Sequence, residues 1–362
     1  KRAVIPEDRS NVGVFLEVFQ KAEARTAELI KSLTAAKPKA GSDEARIADY
    51  YSAYLDQAAI EARGLAPIQP MIEATAAIRD KTELSNILGA FMRADTDPIN
   101  ATNFYTENLF GLFVTQAMDN PDVATAYLLQ GGLGMPSRDY YLSDDAAMVK
   151  NRTAYRAYIA DLLTKAGIPD AAARAQRIYD LELKIAQGQA SREESESWQN
   201  ARTITRDAFA TQAPGIDWNA YFAGAGLQNQ ANFTLWQPKA VAALSALVAS
   251  EPLESWKDWL LFHRINQNSS VLPRAIDDAH FAFYGTTLSG TPKQQSREKR
   301  AIASVNEALG DAIGKQYVAR YFPASAKADI ETMVHNILGA FDKRVAALDW
   351  MAPATKAEAR RK

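Results

Sequence analysis

Cysteine is absent from all 362 residues, which excludes disulfides, thiolate metal sites and cysteine nucleophiles. The compartment stays open, because periplasmic proteins often manage without disulfides. Histidine is nearly as scarce. His263, His280 and His335 are the only three, and none has a second imidazole four residues away, so a His-Glu-x-x-His zinc helix is missing. Each of the three reads as structural. Charge of one sign is also lacking: 41 Lys and Arg against 43 Asp and Glu leave a formal net charge of −2, with no basic field for nucleic acid. No apolar run approaches the length needed to span a bilayer. The chain opens on Lys1-Arg2 with neither an initiator methionine nor an apolar signal region, which reads as a processed end. Asn-x-Ser/Thr triplets at Asn100, Asn151, Asn232 and Asn268 carry little weight, since such triplets arise by chance in polar segments.

Apolar side chains, by contrast, fill 47% of positions, enough for a large core in two or three domains or in one long helical body. After Ile5-Pro6, the residues Val14/Phe15, Val18/Phe19, Ala22, Leu29/Ile30 and Leu33 recur at three-to-four spacing and predict a long amphipathic helix. A break at 37–41, with Ser42 as an N-cap, precedes a second stripe at Ile47, Tyr50/Tyr51, Tyr54/Leu55 and Ala58. The period changes only between Phe110 and Gln130, where two apolar runs flank Asp119-Asn120-Pro121-Asp122; this pattern predicts a small β-hairpin. Helical spacing returns at Tyr155, Tyr158/Ile159, Leu162/Leu163 and Ala166, stopped by Gly167 as a left-handed cap, and again at Ile178, Leu181 and Ile185. Residues 214–218 read as a turn, and 252–256 open a helix carrying Trp259 and Leu260. Ile330, Val334, Leu338, Phe341, Val345 and Leu348 form a final stripe before Trp350 and Pro353. With no internal period, a repeat solenoid is not expected. The predicted fold class is mainly α, multi-helix, with a small β-hairpin near 110–130.

Gly131-Gly132-Leu133-Gly134 lacks the Gly-x-Gly-x-x-Gly order, and Pro136 removes an amide donor, so a turn is a better reading than a phosphate cradle. Its glycines permit positive φ, and Arg138 and Asp139 can bond backbone groups that the turn leaves open. Glu193, Glu194 and Glu196 read as a solvated face rather than as paired catalytic carboxylates. Ser296-Arg297-Glu298-Lys299-Arg300 is equally weak as a basic patch.

The full stretch Gly131-Gly132-Leu133-Gly134-Met135-Pro136-Ser137-Arg138-Asp139-Tyr140-Tyr141-Leu142 resembles the Gly-Leu-Pro-Ser-Arg-Asp-Tyr-Tyr segment of the neprilysin-like (M13) zinc metallopeptidases. Gly314-Lys315-Gln316-Tyr317-Val318-Ala319-Arg320-Tyr321-Phe322-Pro323, then Trp350-Met351 and Thr355-Lys356-Ala357, resemble the same family in the same order. So do the turn-plus-tryptophan patterns ending at Trp218 and Trp256, and the 296–300 segment, which on that ground reads as helical scaffold. The likeness runs from Ile5-Pro6 to Thr355-Lys356-Ala357 and follows the N-terminal half of the family.

The resemblance implies that residues 1–349 are a helical lid domain and that 350–362 start a linker toward a thermolysin-like catalytic domain outside this sequence. The implied parent is a zinc-dependent endopeptidase of oligopeptides, whose lid encloses a cavity that admits peptides and excludes folded proteins. Its implied partners are the oligopeptide substrate and the catalytic domain, and its implied cofactor is zinc. This chain is expected to hold no catalytic residue and no metal ligand, and to be inactive alone. Arg2, in Lys1-Arg2-Ala3-Val4-Ile5-Pro6-Glu7, resembles the family's arginine that faces the cavity and contacts the C-terminal end of bound peptides. A planar guanidinium matches a carboxylate in bidentate geometry. Where many relatives carry a second arginine in Ser-Arg-Tyr-Gly, this chain has Ser10-Asn11-Val12-Gly13, and only Arg9 stands near enough to substitute. Family habit and absent cysteines point to a bacterial periplasmic or secreted location. The alternative, of another class, is a stand-alone helical peptide- or protein-binding module, a pseudo-protease.

Overall fold

The computed structural model describes residues 5–10, 12–13, 15–92, 106–118, 120 and 122–361. The chain divides into two compact units, Lys1–Asn11 with Gln57–Gln294 and Val12–Asp56 with Gln295–Lys362. In chain order the principal helices are α1 (Leu16–Ala35), α2 (Asp43–Leu55), α3 (Lys81–Met92), α4 (Ala146–Lys165), α5 (Ala171–Gly188), α6 (Trp218–Gly224), α7 (Pro238–Ser250), α8 (Leu253–Gln267), α9 (Arg297–Ala308), α10 (Gly310–Tyr321), α11 (Ala324–Ala347) and α12 (Pro353–Arg361).

Local chemistry sets several of these boundaries. Ser42 Oγ accepts from the Ala45 amide at 3.1 Å and opens α2, satisfying one of the donors a helix start leaves free. Asp217 does the same for Ala220 at the start of α6, at 3.0 Å. Gly167, at φ +72°, ends α4 as the left-handed cap its sequence predicts.

In the larger unit the predicted hairpin forms from β1 (Phe110–Gln116) and β2 (Ala124–Gln130), with Phe110 opposite Gln130 and Gln116 opposite Ala124. Two strands of four residues, β3 (Arg202–Thr205) and β4 (Asn232–Leu235), extend it to a sheet of order β1-β2-β4-β3. β4 runs parallel to β2 and antiparallel to β3. The predicted stripes of α4 and α5 are buried, as are Trp256, Trp259, Phe209, Phe222, Phe233 and Phe262. α3 and α6 cross at backbone contact. A Cβ on Gly89 would stand 2.0 Å from the Tyr221 carbonyl oxygen, and one on Gly224 2.0 Å from that of Asn86.

In the smaller unit α1 packs on α2, with α9 and α10 against this pair. The Tyr50 and Ser304 hydroxyls bond at 2.9 Å. Arg297 Nε donates to the Tyr54 carbonyl at 2.7 Å while its guanidinium lies 4.6 Å from the same tyrosine's ring centroid, combining a hydrogen bond with a cation–π contact. The principal neighbour of α11 is α12. Arg360 pairs there with Asp342, and Lys356 Nζ donates to the Ala346 carbonyl at 2.9 Å.

Backbone contact makes a signed prediction about small substitutions. Gly224→Ala should force α3 and α6 apart and cost about 1–3 kcal/mol or more, read as a lower urea midpoint at unchanged slope. Gly314→Ala, in open space on α10, should instead leave stability level or raise it by about 1 kcal/mol.

Candidate functional site

The Gly131–Gly134 segment folds as a turn, with Gly132 at φ +92°, a conformation that glycine adopts without steric cost. Its open backbone groups find partners from distant parts of the chain. Gln189 Nε2 donates to the Gly131 carbonyl at 2.9 Å, Trp259 Nε1 to Gly132 at 3.2 Å and Tyr284 Oη to Gly134 at 2.8 Å. The Met135 amide donates to Tyr141 Oη at 3.0 Å. The sequence reading assigned this role to Arg138 and Asp139. Their carbonyls accept from Tyr141, Leu142 and Ser143 within the short helix that follows the turn, and the turn's carbonyls are met instead by residues distant in sequence. Gly134 is required on a second count, since a Cβ there would lie 1.9 Å from the Tyr155 hydroxyl.

Tyr141 connects this turn to a buried ionic cluster. Its hydroxyl donates to Glu182 Oε2 at 2.6 Å, and that of Tyr155 to Oε1 at 3.0 Å. α8 brings His263 between two carboxylates, Nε2 2.9 Å from Glu182 Oε1 and Nδ1 2.6 Å from Glu107 Oε2. His263 and Glu182 are both 0% exposed. One turn further, Asn266 Nδ2 donates to both Glu107 oxygens at 2.9 Å, and its own carbonyl accepts from Tyr158 Oη. With an acceptor at each ring nitrogen, His263 satisfies both only as the imidazolium. Burial lowers its pKa, but the hydrogen bonds and charges of Glu107 and Glu182 outweigh that and hold it above 6.5. Arg264 adds a second cation. It donates to Asn108 Oδ1 at 2.7 Å and lies 4.7 Å from the Phe91 ring centroid, and burial brings its pKa down to about 10, so it stays charged at neutral pH. An imidazole flanked by carboxylates is a component of acid–base machinery. This one is sealed from solvent and serves as architecture.

Of the residues the sequence singled out for peptide binding, Arg2 lies outside the described residues. Arg9 is half-buried, and its amide donates to the Pro6 carbonyl at 3.1 Å. Lys293 N donates to the Glu7 carbonyl at 3.1 Å, tying down the same segment. Among the described residues no group of three His, Asp or Glu side chains converges to hold a metal ion. His280 stacks on Tyr284 with ring centroids 4.5 Å apart, its pKa lowered by burial. His335 is exposed on α11, its Nδ1–H donating to the Glu331 carbonyl at 2.7 Å. Residues so placed do not fit a zinc ion. Glu194 closes a capping box with Ser191, and Glu196 pairs with Arg192 at 3.0 Å, both in solvent. A groove of about 580 Å³ in the smaller unit carries the mixed charges of Asp43, Arg46, Glu307, Asp311 and Lys315.

The feature that departs furthest from an ordinary surface is α11. Every residue from 327 to 341 is exposed, and Ile330, Met333, Val334, Ile337, Leu338 and Phe341 are each 45–60% exposed. The stripe ends at the buried Val345, and Trp350 beyond it is 74% exposed. The sequence reading found this stripe but passed over Met333 and Ile337. Periodicity alone did not say whether a core or an interface would cover it.

Comparison with known proteins places this geometry. The model of peptidase family M13, in its N-terminal part, matches residues 1–362. Endothelin-converting enzyme 1 of Bos taurus is 25% identical over 375 residues, covering 99% of this chain and 48% of its own length. The Mycobacterium tuberculosis zinc metalloprotease Zmp1, solved with an inhibitor, superposes with a TM-score of 0.88 at 29% identity, over 99% of this chain and 53% of that one. PepO of Lactobacillus rhamnosis shares the fold, with a TM-score of 0.80 at 20% identity, over 99% of this chain and 56% of its own. The chain thus spans about half the length of the curated relatives it matches.

Two measurements probe the buried cluster. Glu182→Gln leaves the imidazolium one charged partner short and should cost about 3 kcal/mol or more in denaturant unfolding. Because the folded pKa of His263 is raised, its contribution is complete below the unfolded value of 6.5 and is lost as pH rises through the folded value. Urea midpoints should therefore fall from near neutral pH upward, and His263→Gln should remove that component of the slope.

Proposed function

The chain belongs to peptidase family M13, and from that premise we propose that it forms the substrate-enclosing portion of a zinc-dependent endopeptidase that cleaves oligopeptides. The observation carrying this reading is a family match along all of residues 1–362 in a sequence with no His-Glu-x-x-His. Zinc, which supplies Lewis-acid chemistry to such peptidases, is assigned with its ligands to a catalytic domain of the same protein outside these residues. Residues 1–349 then act as the lid, and 350–362 lead toward that domain. The lid's work is steric and electrostatic. Rigid helices bound a chamber that peptides enter and folded proteins do not, and walls that exclude water strengthen every polar contact inside. Arg2 anchors the substrate's C-terminal carboxylate, with Arg9 as the second guanidinium. No helix among the described residues is long and apolar enough to cross a membrane, and the location proposed is periplasmic or secreted.

Residues 1–362 by themselves should hydrolyse no peptide, with or without added zinc, whereas the protein as its gene encodes it should cleave oligopeptides and stop when zinc is chelated. A full-length protein that binds peptides, holds no zinc and cleaves nothing would instead be a binding module. Within an active protein, Arg2→Ala should raise KM about tenfold for peptides with a free C-terminal carboxylate, the scale of one charge-assisted hydrogen bond, and much less for amidated ones. Equal losses for both would remove the anchor role, and Arg9→Ala tests the second guanidinium in the same way.

A further inference from the structure

We propose that the bare face of α11, formed by Ile330, Met333, Val334, Ile337, Leu338 and Phe341, is the seat on which the catalytic half of the same protein docks; the inference rests on the endopeptidase reading above. These positions fall at i, i+3, i+4, i+7, i+8 and i+11, which places them on one side of the helix. Thr332, His335, Asn336 and Lys343 fall on the other. A large aromatic side chain presents about 200 Å² and the aliphatic ones somewhat less, so six at roughly half exposure offer on the order of 500–600 Å², the upper end of what the largest apolar patch of a monomer shows. Covered from both sides, that area reaches the size of a stable protein interface.

The helix also depends on a cover. Helical stability in proteins comes mainly from packing an apolar face rather than from propensity, yet over 327–341 every residue of α11 is in solvent. α12 holds only its far end, through Asp342 and Ala346.

The occupant follows from length and charge. About half of each curated relative lies outside the part matched here, so a body comparable in size to this chain remains to be placed. α11 and α12 are the last elements described, and chain continuing from them would meet this face at the high local concentration that a short tether confers. Lipid fits less well. The charges along the helix are of both signs, Asp329, Glu331 and Asp342 with Lys327, Lys343 and Arg344, and give no basic rim for anionic headgroups.

The test uses the protein as its gene encodes it, with photo-reactive p-benzoylphenylalanine in place of Ile337. Illumination should cross-link this position within one molecule to peptides that follow residue 362. Hydrogen exchange supplies a second readout. The amides of 330–341 should be protected in the full-length protein and exchange at least tenfold faster in Ile337→Asp/Phe341→Asp, while those of α5 stay protected. Cross-links only to a second copy, only within residues 1–362, or to nothing would overturn the seat. An active, zinc-loaded protein giving those results would leave the endopeptidase reading intact. Cross-links beyond residue 362 in a protein without zinc would uphold the seat and remove that reading.

Discussion

A cation with no access to water is tolerable only where its field is answered on every side, and in the larger unit His263 meets that requirement with Glu107 at one nitrogen and Glu182 at the other. Taking such charges out of solvent costs several kcal/mol for each ion unless geometry returns it. The return here comes from elements far apart in sequence: α8 carries His263, α5 carries Glu182, and the segment before β1 carries Glu107. Tyr141 and Tyr155 then connect Glu182 to the turn at Gly132 and to α4. None of these elements can shift without leaving a buried charge unanswered, so the cluster acts as a geometric lock. Asp258 provides a second one between α8 and α5, where it receives Arg174 and Arg177 and is itself buried.

Under the proposed lid role, such locks would suit a wall. A chamber that sorts peptides by size needs faces that hold their shape when a substrate presses on them, and specific polar networks favour one arrangement over the near alternatives an apolar core would tolerate. The same reasoning separates the two kinds of surface in the molecule. The charged cluster in the interior of the larger unit is held by paired hydrogen bonds, whereas the face of α11 is apolar and uncovered.

Helices announced themselves in the sequence wherever one side met a core and the other met water, as at Ile47, Tyr51 and Tyr54 or at Ile178, Leu181 and Ile185. Ser42 and Gly167 marked ends because only certain residues satisfy or permit those backbone states. The hairpin was legible from its turn residues, but β3 and β4, at four residues each, are too short to display an alternation. The glycine turn was legible as a turn, while its partners were not. Gln189, Trp259 and Tyr284 arrive through tertiary folding, and no local spacing encodes that. A clue to the charged cluster did exist. Residues 258–266 place Asp258, His263 and Arg264 on a helix with no polar side, and a helix buried all round can carry such groups only beside opposite charges. Arg2 rests on family resemblance, and so does Arg9, whose amide the fold ties to Pro6.

The smaller unit is drawn from two distant segments, 12–56 and 295–362, with residues 57–294 of the larger unit between them. During synthesis α1 and α2 therefore leave the ribosome long before α9 and α10 exist to meet them, while the intervening segment can collapse around its own core. Folding order follows from this layout: residues 57–294 mature first, and the early helices wait for α9 and α10 to complete their packing. Holdase chaperones that bind exposed apolar segments would find their target in those first helices, at the stage when the nascent polypeptide is most prone to aggregate.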